Sequence, residues 1–315
     1  MTRISRLLGL RILQILPVVI LATFVVFSFQ QLLPGDPATV LAGESPTPER
    51  IAQVREQFGL DKPFFQQYGA WLWRVVHGDF SKSLMNTAEV ADLIVTRLPV
   101  TLMIAGLAMV MTVAIGIPLG LMAVVKEGSI LDAALSALGS LGVALPTFWL
   151  SMILVTIFAM KLGFFPVSGM VSPVNQPLEA LQYAMLPALS LAAAAIAELT
   201  QQVRSAMLEF LASQHVRTLR AKGMTEAQIL WRHGLKNISV TIITVMGLIA
   251  NRLLGTTVVI ESVFAIPGLG SLIAEAARSN DYTVIQGVVL VMVVMVIVLN
   301  LLVDIACAIL DPRVS

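Results

Sequence analysis

The sequence predicts an all-α integral membrane protein with six transmembrane helices. Charged residues make up only 12% of its 315 residues and hydrophobic ones 57%, whereas soluble domains carry about 25% charge. Residues 12–35, 98–125, 133–160 and 282–303 contain no Asp, Glu, Lys, Arg or His. At ~1.5 Å rise per residue, each run is long enough to cross a ~30 Å hydrocarbon layer. Basic residues also concentrate in a few short polar segments between the apolar ones, the usual pattern of a multi-pass protein.

In order, the predicted spans are 8–33, 98–125, 133–161, 181–203, 238–260 and 283–309. Arg3 and Arg6 precede the first apolar run as in a signal peptide, but the run continues through Phe29 without a small-residue cleavage site, so it reads as a retained span. A polar insert, 34–97, follows it. Its opening, Pro34-Gly35-Asp36-Pro37, forces a turn because each proline fixes φ and removes a donor. Thr47-Pro48-Glu49 reads as a helix start, with proline at the first helical position and an acid favourable to the dipole. The expected domains are 1–33 (N-terminus and first span), 34–97 (a small, mostly helical extracytoplasmic insert) and 98–315 (a core with the cytoplasmic segment 204–237). In the core, Gly116 and Gly120 and the run Ala192 to Ala195 offer small faces for close helix packing. Pro118, Pro146 and Pro187 are expected to kink helices or free carbonyls.

Orientation follows from Lys and Arg in the short loops. The N-terminus offers Arg3, Arg6 and Arg11, and the segment after span four offers Arg204, Arg217, Arg220, Lys222, Arg232 and Lys236. The loops after spans three and five hold only Arg278 between them, with Lys161 at a span end. An even number of spans then places both termini in the cytoplasm and the insert outside.

The most informative stretch is 209–237. Ser213 is placed to cap a short helix over 214–222, and Gly223 to supply its left-handed stop. Thr225 and Gln228 then have the spacing of a capping box. The first of these helices is too short and too basic to span a membrane. It suits a knob presented to a cytoplasmic partner, or else a solvated loop that holds orientation charges.

Val216-Arg217-Thr218-Leu219-Arg220-Ala221-Lys222-Gly223, followed by Trp231-Arg232-His233-Gly234-Leu235-Lys236-Asn237, closely resembles the cytoplasmic signature of ABC-transporter permeases. The match is to the dipeptide, oligopeptide and nickel importer branch, and it runs the length of the chain. It includes Leu32-Leu33-Pro34-Gly35-Asp36-Pro37, Phe58-Gly59-Leu60-Asp61-Lys62-Pro63 and Leu145-Pro146-Thr147-Phe148. It continues through Glu261-Ser262-Val263-Phe264, Pro267-Gly268-Leu269-Gly270, Asn280-Asp281-Tyr282 and Leu310-Asp311-Pro312-Arg313. It departs at Gln214-His215, where the family often has an acid and a tyrosine.

The resemblance implies a type I importer permease fold in a bacterial or archaeal inner membrane. Residues 216–223 would then be the coupling helix that docks on an ATPase. The implied partners are a second homologous permease, one or two ATP-binding subunits and an extracytoplasmic substrate-binding protein. The residues agree on one point: no Gly-Lys dipeptide occurs, so the chain has no phosphate loop of the G-x-x-x-x-G-K-[ST] type. ATP and Mg are therefore expected in partner subunits, with no cofactor in this chain. Net charge +1 gives no reason to expect nucleic acid.

Other functions are weighed against isolated residues. His77, His215 and His233 occur in no H-E-x-x-H, and Cys307 is the single cysteine, so neither a metal site nor a membrane enzyme is expected. Glu198, Asn251 and Arg252 fall within predicted spans. Charges there are costly and often functional, so these three are candidates for the translocation path and for the alternative of an ion-coupled secondary transporter. As structural glue, Glu198 would pair with Gln201 or Gln202 and Arg252 with a loop carboxylate. Asp281-Tyr282 is expected to tie an outer re-entrant segment.

Overall fold

The computed structural model describes residues 15–28, 37–42, 47–57 and 59–310. Arg3, Arg6, Arg11, residues 32–36, Phe58 and residues 311–315 lie outside them, with the expectations that rest on them. The helices are α1 Ile15–Ser28, α2 Pro37–Ala42, α3 Pro48–Gln57, α4 Phe64–Val76, α5 Val90–Val125, α6 Ile130–Ala144 and α7 Thr147–Lys161. They continue with α8 Pro177–Leu211, α9 Gln214–Ala221, α10 Glu226–Val263, α11 Leu269–Ser279 and α12 Tyr282–Leu310.

Among the described residues, α5, α8, α10 and α12 are each long and apolar enough to cross a membrane, and α6 with α7 forms a fifth candidate bent by 104°. The span expected over 133–161 is therefore broken, at the Pro146 where a kink was expected. Proline drives the residue before it out of the helical region, and Leu145 is extended (φ −76°, ψ 128°) ahead of Pro146. Pro118 and Pro187, by contrast, sit inside continuous helices.

The chain divides into two compact units. The first comprises residues up to Leu98 together with Ser271–Ile297. Its core is Phe27, Trp71 and Leu290, flanked by Phe64, Tyr68, Leu72, Val75 and Phe80. Asp281, only 3% exposed, accepts from Ser83 Oγ (2.5 Å) and from the Leu84 and Val284 amides (3.2 and 3.3 Å). The segment that Asp281 ties is thus the Ser83–Leu84 stretch. This contact spans 197 positions, beyond the reach of local sequence reading.

The second unit, Pro99–Gly270 with Val298–Ser315, is a helical bundle around α8. An ideal Cβ on Gly116 would lie 3.2 Å from Leu199, and one on Gly120 2.7 Å from Val203, so the small face of α5 receives large side chains of α8. Thr200 Oγ1 donates to Gly116 O (3.2 Å) across the same contact. Gly139 and Gly142 let α6 meet α8 at Gln201 and Ala197. Arg204 forks onto Asp132 (2.7 and 2.8 Å), closing that interface at one end.

Candidate functional site

The segment after α8 is built by local chemistry. Ser213 is extended (φ −70°, ψ 155°) and starts α9 as expected, but its Oγ is buried without a hydrogen-bond partner, so the side-chain cap is not made. The stop is as expected: Gly223 adopts φ +80°, its amide donates to Arg220 O (2.9 Å), and the Met224 amide reaches back to Leu219 O (3.2 Å). This left-handed residue followed by a back-bonded amide closes the last turn. The capping box forms in full, with Gln228 N donating to Thr225 Oγ1 (3.3 Å) and Thr225 N to Gln228 Oε1 (3.1 Å).

Of the eight residues expected to act together, two turn inward. Val216 (0% exposed) and Leu219 (7%) pack with Ile229, Phe210, Leu211 and Met224. Arg217, Thr218, Arg220, Ala221, Lys222 and Gly223 are exposed on the outside of the same turn. Arg220 forks onto Glu226 (2.7 and 3.0 Å), joining the end of α9 to the first turn of α10. A wide π-helical turn, Ile229–Gly234, leads into the rest of α10 and leaves Trp231 60% exposed. Gly234 allows it, since a Cβ there would come within 2.6 Å of Met207 Sδ in α8. A short basic knob is thus seated on α8 and α10 by an apolar plug.

Glu198 and Arg252 pair with each other: Arg252 Nη2 donates to Glu198 Oε2, joining α8 to α10. The glutamine and loop-carboxylate partners considered from sequence are not the ones used, because the two helices pack side by side and bring opposite charges together. Asn251 Nδ2 donates to Asn300 Oδ1 (2.7 Å), and its own Oδ1 is buried without a partner. Glu198 and Arg252 line a cavity of about 170 Å³ with Leu145, Thr147 and Thr256. Sites for small ligands usually hold roughly 300–1,000 Å³, so this cavity is too small for a peptide.

Sequence reasoning assigned no role to Glu261, which is fully buried. Its Oε1 accepts from Thr101 Oγ1 (2.7 Å), and that hydroxyl accepts from the Leu269 amide (2.8 Å). The Ile266 amide bonds Glu261 O (2.8 Å). A Cβ on Gly268 would overlap the Glu261 carboxyl, and one on Gly270 would overlap Val258 Cα. The two glycines therefore mark where the 264–270 turn rides over α10. An acid in an apolar helix followed closely by Gly-x-Gly was the available signal.

Residues 116–315 match the family described as the binding-protein-dependent transport system inner membrane component, and residues 4–105 match its N-terminal counterpart. The chain belongs to this family. The resemblance read from the cytoplasmic signature is thus borne out. A putative peptide transport system permease protein of Brucella abortus (strain 2308) is 40% identical over 96% of this chain and 97% of its own length. The dipeptide transport system permease protein DppB of Escherichia coli (strain K12) is 36% identical, covering 99% of this chain and 98% of its own. The oligopeptide transport system permease protein AppB of Bacillus subtilis (strain 168) is 35% identical, with 97% and 98% covered. Structures of the MetNI methionine ABC transporter in inward-facing conformations share the fold, with a TM-score of 0.57 at 20% identity over 70% of this chain and 96% of that one.

Within this inner-membrane component, α9, the Glu198–Arg252 pair and the Glu261 carboxylate all fall in the region matching the main family description. The α4 helix falls in the N-terminal match.

Proposed function

We propose that this permease forms one half of the translocation path of an ATP-driven importer for short peptides. A second homologous permease supplies the other half, one or two ATP-binding subunits hold ATP and Mg, and an extracytoplasmic binding protein delivers the substrate. The observation that carries the reading is the exposed basic knob, α9 through Gly223, seated on α8 and α10 by Val216, Leu219 and Ile229. Such a fixture suits energy received from another subunit, which a carrier driven by an ion gradient does not require. The similarity to permeases named for dipeptide and oligopeptide transport supports the substrate class.

In this reading the six spans are α1, α5, the bent α6–α7 pair, α8, α10 and α12, with both termini cytoplasmic and 34–97 outside. Closure of the ATP-binding subunits draws the knobs of the two permeases together and turns the path outward. Hydrolysis and release return it inward. The Glu198–Arg252 cavity is one wall of that path, completed by the partner permease.

The test is uptake of a labelled dipeptide by the assembled complex in proteoliposomes without ion gradients. ATP-dependent uptake is expected. Uptake that needs a proton gradient and ignores ATP would overturn the proposal in favour of an ion-coupled carrier. A cysteine at position 218 (in a Cys307→Ser background) is also expected to crosslink to the ATP-binding subunit and to resist an impermeant reagent on intact spheroplasts. Ready labelling from outside would refute the topology.

A further inference from the structure

The α4 helix has two apolar faces; among the described residues one is packed into the first unit's core, and the other stays largely exposed. Phe64, Tyr68, Trp71 and Val75 pack on the last turns of α1 and on Leu290. The seam is dense: Phe24 meets Phe64 at 5.6 Å and Tyr68 at 5.7 Å, Phe27 meets Trp71 at 5.5 Å, and the Thr23 and Tyr68 hydroxyls bond at 2.9 Å. Phe65, Trp73 and Val76 lie on the other face and are 74%, 69% and 72% exposed. With Gly69 they fall within an arc of about 80° on a 3.6-residue helix. Gln66, Ala70 and Arg74 occupy a third, polar side.

We propose that Phe65, Trp73 and Val76 seat α4 in the headgroup interface of the bilayer, as an in-plane anchor for the segment between the first two spans. The inference rests on reading α1 as part of a membrane span. The occupant follows from continuity: Phe65 stacks on Phe24 (6.5 Å, 25° between planes), and Phe24 belongs to the helix whose Leu16, Val18, Ile20, Leu21 and Val25 are also exposed. The apolar stripe of α4 therefore extends the lipid-facing surface of α1 at the end where that helix carries hydroxyl groups. The type of Trp73 fits as well, since amphipathic Trp rings settle at the membrane–water boundary. Size argues against a protein partner. Thirteen residues make a helix about 20 Å long, and a stripe of that length falls short of the roughly 1,000 Å² expected of a stable protein interface. An interfacial helix needs only its apolar face sunk ~5–10 Å into the headgroup boundary.

The test uses the assembled complex in nanodiscs of phosphatidylcholine and phosphatidylglycerol, with tryptophan octyl ester as a quenching control. Trp71, Trp149 and Trp231, together with the tryptophans of the other subunits, are replaced by Phe to leave Trp73 alone. Lipids brominated near the carbonyl end of the acyl chain are expected to quench Trp73 more strongly than lipids brominated near the methyl end. Quenching by iodide but not by bromolipid would place the face in water, and protection from both would place it under a protein; either result overturns the anchor. A second sample carries tryptophan only at position 21 (Leu21→Trp). Quenching there without quenching at Trp73 removes the anchor alone, whereas failure at both removes the span reading and the anchor with it. Should the Phe replacements unfold the protein, a spin label on Trp73→Cys in the Cys307→Ser background reads the same depth, by oxygen against a water-soluble nickel chelate.

Discussion

Replacing Thr101 by Val should release the 264–270 turn from α10. The valine keeps the shape of the side chain but removes the hydroxyl that donates to Glu261 Oε1 (2.7 Å) and accepts from the Leu269 amide (2.8 Å). Thr101, Glu261 and Leu269 are all fully buried, so water does not compensate. A hydrogen bond contributes about 0.5–1.5 kcal/mol, and a buried donor left without a partner costs about 1–3 kcal/mol. The turn should therefore open more easily by about 2–4 kcal/mol. Each ~1.4 kcal/mol is a factor of about ten, so amide exchange across 264–270 should accelerate at least about tenfold. Hydrogen exchange followed by mass spectrometry on the assembled complex measures it, because local openings are read segment by segment. Thr101→Ser keeps the hydroxyl and should exchange near the wild-type rate. An acceleration under about threefold in Thr101→Val, worth less than ~0.7 kcal/mol, would show that the Glu261 network does not hold the turn.

Gly223→Val meets no steric obstacle, since no neighbouring atom lies within 4 Å of where its Cβ would stand, but it forces a β-branched residue to φ +80°, at a cost of roughly 1–2 kcal/mol. The assembled complex should hydrolyse ATP without matching uptake; normal uptake per complex would remove this turn from the coupling mechanism. Arg220→Glu should lower uptake per complex, and the swap Arg220→Glu with Glu226→Arg should restore the exposed fork without restoring uptake. The fork is exposed and screened by solvent, so it contributes little to stability, and full rescue by the swap would assign Arg220 to local structure alone. Gly120→Val places a side chain where Val203 Cβ is 2.7 Å and Thr200 O 2.8 Å away. It should cost at least about 1–3 kcal/mol, read as earlier thermal unfolding in detergent; unchanged unfolding would refute the close α5–α8 contact.

Much of the local structure was legible in the sequence because its causes act within one or two helical turns. The left-handed Gly223 and the Thr225–Gln228 box depend on residues three or four apart. The uncharged runs that dictate membrane helices are contiguous. The close approach at Gly116 and Gly120 was legible as a spacing, though not the identity of its partners, Leu199 and Val203.

Prolines illustrate how far local reading reaches. A proline inside a helix costs about 3 kcal/mol, and packing decides whether the helix survives. Pro187 is buried between Leu186 (3% exposed) and Ala188 (0%), and Pro118 lies between two glycines pressed on α8; both helices continue. Pro146 is exposed between half-exposed neighbours, and there the chain breaks.

What the sequence by itself determined is therefore the all-helical membrane architecture, the family and the form of the short basic knob, each written in contiguous or closely spaced residues. The tertiary structure alone decided which polar groups meet. Glu198 finds Arg252 54 positions away and Glu261 finds Thr101 160 positions away. It also decided that Arg220 closes on Glu226. The reason is physical: a buried polar group must find its partner on whichever helix packs against it, and the choice of packing neighbour is a property of the whole bundle rather than of any one segment.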